Sequence, residues 1–258
     1  MSFRLSIAQQ PLAWQDPAAN REHFAAVLAP LAGHTDLVVL PEMFTTGFTM
    51  EPESHAEAAA GETRDWLLAQ ARALDAAVGG SVAVDEHGRY YNRFMLATPA
   101  GDYYHYDKRH LFRMGGEHRH YSAGSHALLV EWRDLRICPL VCYDLRFPVW
   151  ARRRPELDYD LAIYPANWPA ARRYAWNTLL RARAIENQAF VAGVNRVGND
   201  GHGIAHVGDS VVLDFTGQPL VELHDQARVV TVSLDTVALR EWRDRFPAHL
   251  DADAFSLE

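Results

Sequence analysis

Apolar residues recur along this chain with two different periods, and the changes between them mark its elements. The opening "FRLSIAQQ" from Phe3 reads as a strand. Asp16 or Asn20 can then cap a helix in which Phe24, Val27, Leu28 and Leu31 recur at helical spacing. "DLVVLP" from Asp36 is a short continuous apolar run, the pattern of a strand covered on both faces, and "TRDWLLAQARALDAA" returns to the helical period through Trp66, Leu67, Ala71 and Leu74. After these two β-to-α steps the character changes. "GGSVAVDEHGRYYNRFMLATPAGDYYHYD" holds three short strands separated by turn signals at His87-Gly88 and Ala100-Gly101-Asp102, which predicts an antiparallel meander. "HALLVEWRDLRICPLVC" adds two strands, "DYDLAIYPAN" another, and "RRYAWNTLLRARAIEN" from Arg172 a helix. "QAFVAGVN", "VGDSVVLDFTGQPLVEL" and "ARVVTVSLD" supply further strands, with a Thr216-Gly217 turn, before a last helix from near Asp235 past Trp242. No repeat or low-complexity linker divides the chain, so the reading is one α/β domain over residues 1–258, its strands mixed in direction and flanked by helices.

Composition narrows the function classes. A chain of 258 residues that is 48% hydrophobic and 22% charged can bury a sizeable core. No apolar run reaches the roughly 18 residues a membrane span needs, and "MSFRLSIAQQP" turns polar before a signal peptide's apolar region forms, so a cytoplasmic, soluble protein is expected. The net charge of −8 disfavours nucleic acid, since the densest basic cluster, "ARRRPE", holds three arginines. Two cysteines four residues apart, Cys138 and Cys142, are too few for a disulfide framework and read as reduced thiols.

Three polar residues stand where apolar strands end: Glu42 after "LVVLP", Lys108 after "YYHYD" and Cys142 after "RICPLV". Scaffolds hold the backbone rigid at such ends while the side chain is free to enter a crevice. Each residue also has an ordinary reading. Unpaired cysteines usually fill cores, a loop glutamate is usually solvated, and Lys108 beside Arg109 suits a surface. Cys138, deeper in the apolar run, belongs to the core. The polar sequence after Cys142 suits a sharp strand-to-helix turn, which would lift the sulfur out and aim the Tyr143 backbone N–H at an oxyanion. Glu42, beside Leu40, Met43 and Phe44, is expected to be partly desolvated, which favours its protonated form.

"LVVLPEMFTTGF", "DKRHLF" and "CPLVCYDLRFP", spaced 66 residues from Glu42 to Lys108 and 34 from Lys108 to Cys142, resemble the three blocks of the nitrilase superfamily of carbon–nitrogen hydrolases. The resemblance covers nearly the whole chain. It implies a four-layer α-β-β-α sandwich, commonly paired through helices into a homodimer or larger homo-oligomer. It implies that Cys142 attacks a small-molecule amide to give a thioester, that Glu42 relays protons, and that Lys108 with the Tyr143 N–H stabilises the oxyanion, with no metal or organic cofactor. Glu117 in "GGEHRHYSAG" stands where many members have a second glutamate that orients substrate or catalytic groups. His118 and His120, like His202 and His206, lack a third ligand at a recognisable spacing, so no metal is expected.

Within the superfamily "PEMFTTGF", "CYDLRFP", "PANWP" and "RARAIENQAFVAGVNRVG" are most similar to the omega-amidase branch, which acts on 2-oxoglutaramate and similar 2-oxo amides. The distal carboxylate of such a substrate calls for a cation, and Arg146, Arg172 and Arg173 are candidates, each with an ordinary reading as a brace or a solvated helix start. Phe44 and Trp168 are candidates for the pocket wall or for the core. The alternatives are a nitrilase, aliphatic amidase or carbamoylase, a Cys-His hydrolase using one of the 13 histidines, and a non-catalytic ligand-binding homologue.

Overall fold

In a computed structural model that describes residues 2–256, the two periods become two face-packed sheets between helices. Strand β1 (Ser2–Gln9) leads through α1 (Pro17–Leu28) to β2 (Leu37–Val39). Asp16 caps α1 by accepting from the Ala19 N–H, and Pro17, which lacks an N–H to satisfy, opens its first turn. A short α2 (Pro52–His55) and a two-residue β3 (Glu57–Ala58) precede α3 (Glu62–Leu74), which ends on Asp75 in the left-handed conformation. The expected meander is β4 (Ala77–Glu86), β5 (Arg89–Ala97) and β6 (Tyr103–Asp107), with continuous antiparallel pairing. These strands join as β15-β1-β2-β4-β5-β6, with β3 beside β4.

The second sheet begins with β7 (Val130–Trp132) and β8 (Leu135–Pro139), followed by a short α4 (Pro148–Ala151) and β9 (Leu161–Ala166). Helix α5 (Arg173–Asn187) returns the chain to β10 (Phe190–Asn195), parallel to β9. A hairpin of β11 (Val197–Asn199) and β12 (Ala205–Val207), which the apolar pattern does not announce, comes before β13 (Val211–Leu213) and β14 (Pro219–Glu222). The sheet order is β14-β13-β10-β9-β8-β7. Strand β15 (Arg228–Asp235) crosses back to pair with β1, and α6 (Thr236–Arg245) follows, capped by Asp235.

Alternation along the strands divides the apolar residues between two cores. Leu5, Ile7, Leu37 and Val39 face Ile137, Leu161 and Ile163 across the sheet–sheet interface. Ala8, Val38 and Val78 face outward against Phe24 and Leu28 of α1 and Leu67 and Ala71 of α3. Trp176 and Leu180 of α5 cover the outer face of the second sheet, completing the four layers. Among the described residues no helix is long and apolar enough to cross a membrane.

This layering sets the functional geometry. Strands β2 and β6 of one sheet and β8 and β9 of the other all release their chains, at their C-terminal ends, toward one crevice.

Candidate active site

Glu42 follows β2 in a turn held by its neighbours. The Leu40 N–H donates to the Gly79 carbonyl, the Met43 N–H to Ser81 Oγ at 2.8 Å, and the Phe44 N–H to the Ser81 carbonyl. Gly80 permits this approach, because a Cβ there would lie 2.8 Å from the Leu40 Cβ and 2.9 Å from the Phe44 ring. Met43 sits at φ +43 and Cys142 at φ +44, a region that costs a non-glycine residue about 1–3 kcal/mol and persists only where the surroundings impose it.

For Cys142 the imposing group is Asp144. Strand β8 stops at Pro139, and residues Cys142–Arg146 form a 3₁₀ turn in place of the expected direct strand-to-helix turn. The fully buried Asp144 carboxylate accepts from the Val141 N–H at 2.9 Å, the His110 N–H at 2.9 Å and the Tyr106 hydroxyl at 2.8 Å, and also meets His110 Nδ1 at 2.8 Å. One side chain thus ties the Cys142 turn to the segment that carries Lys108. The Tyr143 N–H lies in the first turn, where backbone donors lack an intrahelical partner.

These supports bring together the three residues singled out at strand ends. Lys108 Nζ donates to Glu42 Oε1 at 2.8 Å and to both oxygens of Glu117 at 3.0 Å, with all three side chains fully buried. Asn92 Nδ2 bridges the carboxylates, 2.8 Å from Glu42 Oε1 and 3.0 Å from Glu117 Oε1, and its oxygen accepts from Ser81 Oγ. The Asn167 N–H donates to Glu42 Oε2 at 2.8 Å, and Glu42 and Cys142 line the same cavity, near enough for the carboxylate to act on the thiol. Burial by itself would lower the pKa of Lys108, but the charges of Glu117 and Glu42 outweigh it and hold the ammonium above its usual range. Burial, reinforced by Glu42, pushes the Cys142 thiol well above the usual cysteine value, so the resting sulfur carries its proton. Burial and Glu42 likewise raise Glu117 against the pull of Lys108.

Glu42, Lys108 and Cys142 share the wall of a cavity of about 180 Å³ with Phe48, Phe112, Asn167 and Trp168. A model of the carbon-nitrogen hydrolase family matches residues 4–244. The chain belongs to that family. This hydrolase is 50% identical over 257 residues to omega-amidase YafV of Escherichia coli K12, covering 99% of this chain and 98% of the relative. It is 32% identical over 254 residues to a 2-oxoglutaramate amidase of Bacillus subtilis strain 168, covering 97% and 98% of the two chains. Among solved structures, XC1258 of Xanthomonas campestris, a CN-hydrolase superfamily protein with an arsenic adduct in its active site, superimposes over 100% of both chains with a TM-score of 0.98 and 52% identity.

The other sequence candidates in the hydrolase separate by position. Arg146 and Arg172 line the cavity, Arg146 with its guanidinium 5.0 Å over the Trp168 ring and Arg172 5.2 Å over Phe112; among the described residues neither has a carboxylate partner. Asp144 does not hold Arg146, because other donors occupy its oxygens. Arg173 is corrected: it opens α5, pairs with Asp209 at 2.8 Å and stays out of the wall. Phe44 is corrected too, its buried ring packing against Phe24 and Trp66 because Gly80 leaves room for it beneath the turn. Glu117 stands behind Lys108 rather than in the wall.

Sequence reasoning passed over Asn92, Asp144 and Asn167, as well as the β11–β12 hairpin whose Asp200, His202, Ile204 and His206 close one side of the cavity. Asp144 and Asn167 lie in "CYDLRFP" and "PANWP", but nothing in those stretches says which groups each side chain would hold. The hairpin's place depends on Trp14, whose ring lies so near Gly201 that a Cβ there would come within 2.4 Å. Of the two histidines in the wall, His206 meets the Ile204 carbonyl through Nδ1 at 2.9 Å. The charged groups that act on the Cys142 thiol are Glu42, Lys108 and Glu117, with no histidine among them, which weighs against the Cys-His alternative. Among the described residues no three His, Cys, Asp or Glu side chains group to hold a metal ion.

Proposed function

We propose that this hydrolase, its whole chain acting as one catalytic domain, cleaves the terminal amide of a small 2-oxo acid amide such as 2-oxoglutaramate and releases ammonia. The observation that carries the reading is the convergence of the Cys142 thiol, the Glu42 carboxyl group and the buried Lys108 amine on one cavity wall. Cys142 Sγ attacks the amide carbon as Glu42 takes the thiol proton, and Lys108 with the Tyr143 N–H stabilises the negative oxygen. The C–N bond then breaks, the nitrogen leaves as ammonia with the proton from Glu42, and a thioester remains. Water attacks the thioester, Glu42 accepts its proton, and the sulfur is released as thiol with the free acid. Glu117, with Asn92, holds Lys108 and Glu42 in register.

The names of the relatives, omega-amidase and 2-oxoglutaramate amidase, support the substrate class. Arg146 and Arg172, cationic and without carboxylate partners in the wall, are proposed to receive the distal carboxylate, while Trp168 flanks the chain between the two ends. Pairing into a homodimer is proposed through the α5 face, where Tyr174 and Ile185 are exposed, and two free cysteines suit a reducing cytoplasm. Ammonia release measured across 2-oxoglutaramate, glutamine, a carbamoyl amino acid and a simple nitrile is expected to be fastest with 2-oxoglutaramate. A preference for the nitrile or the carbamoyl compound would overturn the assignment.

A further inference from the structure

Asn167 follows β9 directly, and two of its four polar groups are committed to Glu42. Its backbone N–H donates to Glu42 Oε2, and its Nδ2 donates to the backbone carbonyl of the same residue. The second contact decides which way the side-chain amide faces, since a carbonyl oxygen cannot donate to another carbonyl oxygen. Oδ1 is therefore the side-chain group left over. It is buried and has no hydrogen-bond partner, on a side chain that belongs to a residue only 6% exposed. Of the buried side-chain polar atoms without a partner among the described residues, it is the one on a residue of the cavity wall. Buried acceptors are nearly always paired, and one that stays open beside a thiol and its base is a place for a donor that arrives with the ligand.

A primary carboxamide brings two N–H donors on one nitrogen. With its carbon at the Cys142 sulfur and its oxygen toward Lys108, the nitrogen is presented to the Glu42 side, where Asn167 packs. We propose that Asn167 Oδ1 accepts one N–H of the scissile carboxamide while Glu42 faces the other, making Asn167 a specificity residue for unsubstituted amides. This rests on the reading of Glu42, Lys108 and Cys142 given above. Asn167 neither gains nor loses a proton. It orients the nitrogen so that the proton held by Glu42 reaches the nitrogen lone pair as the C–N bond breaks, and it continues to accept from the departing ammonia. Esters and nitriles have no N–H to fill this acceptor, and an N-methyl amide has one donor fewer.

The experiment compares kcat/KM for three substrates with one acyl group, the primary amide, its N-methyl amide and its methyl ester, in the unmodified enzyme and in Asn167→Ala. The amide-to-ester ratio is expected to fall about 10- to 100-fold in the variant, the range set by losing one hydrogen bond to a buried group. The N-methyl amide is expected to lose less than the primary amide. Equal losses on amide and ester would mean that Asn167 acts only through the Glu42 backbone, and would overturn the proposal. Should the variant not fold, the unmodified enzyme still decides: turnover of the N-methyl amide as fast as the primary amide overturns the proposal, and a large preference for the primary amide sustains it. No turnover of any primary carboxamide would overturn the functional reading itself, a result distinct from an unchanged ratio.

Discussion

Strands β8 and β9 carry a buried ionic cluster at each end, and the two clusters differ in what they leave over. At the N-terminal ends Asp160 accepts from the Arg136 N–H at 3.1 Å and from its guanidinium at 3.0 and 3.1 Å, and from Arg243 Nη1 at 2.7 Å. The remaining Arg243 donors reach the Gln188 and Tyr159 carbonyls, and Asp158 ties Arg136 to Arg153. Burial opposes the charge of Asp160, but hydrogen bonds from Arg136 and the charge of Arg243 outweigh it and hold the carboxyl below its ordinary pKa. At the C-terminal ends two carboxylates share one ammonium, a thiol is pushed up in pKa and Asn167 Oδ1 is open. Burial of charge is common to both clusters and so says little about function. A complete set of partners stiffens the sheet, whereas an incomplete one leaves groups ready to move a proton or bind a donor.

The largest expected effect falls at the incomplete end. Glu42→Gln and Lys108→Met should each lower ammonia release by about 10²- to 10⁴-fold, the usual worth of a general base or an oxyanion partner, and Cys142→Ala should lower it further. Circular dichroism should show the fold retained. Near-normal activity in any of these variants would mean that the residue has no part in the chemistry. At the complete end the expectation reverses. Asp160→Asn removes one partner of a buried set and should cost about 3–5 kcal/mol in urea unfolding, with kcat/KM of the folded enzyme unchanged. A fall in kcat/KM with stability intact would show that the two ends are not separate in role.

The same carboxylate has an acid signature. Its folded pKa lies below the unfolded value of about 3.9, so its stabilisation is present above that value and is lost as pH falls through the folded pKa. Unfolding midpoints followed downward from pH 5 should drop less steeply in Asp160→Asn than in the parent. The smallest effect is expected at the rim of the incomplete end. Arg146→Gln should raise KM about tenfold for a substrate with a distal carboxylate and leave the matching methyl ester of that carboxylate unaffected. Equal changes for both would remove Arg146 from carboxylate recognition.

Legibility from sequence followed the distance over which each feature is specified. The meander of β4 to β6 and the helices α1, α3 and α5 were readable because their periods and caps are local; Asp16, for example, lies beside the turn it caps. The hairpin of β11 and β12 was not, because its strands are three residues each and its place depends on Trp14, nearly 190 residues away in sequence. Phe44 and Arg173 kept two readings each for a related reason, since adjacency to a motif does not say which way a side chain turns. Gly80 decided the first and Asp209 the second.

The sequence by itself determined the longer strands and helices in their order and the three polar positions at strand ends, because strand and helix periods are written in neighbouring residues. Tertiary structure alone decided that β2 and β6 of one sheet and β8 and β9 of the other open on the same crevice. It alone gave Glu42 its set of donors, joined Asp144 to the segment carrying Lys108, and left Asn167 Oδ1 without a partner. Hydrogen-bond satisfaction is a property of groups brought together from distant parts of the chain, so no stretch of sequence records which buried atom will remain open.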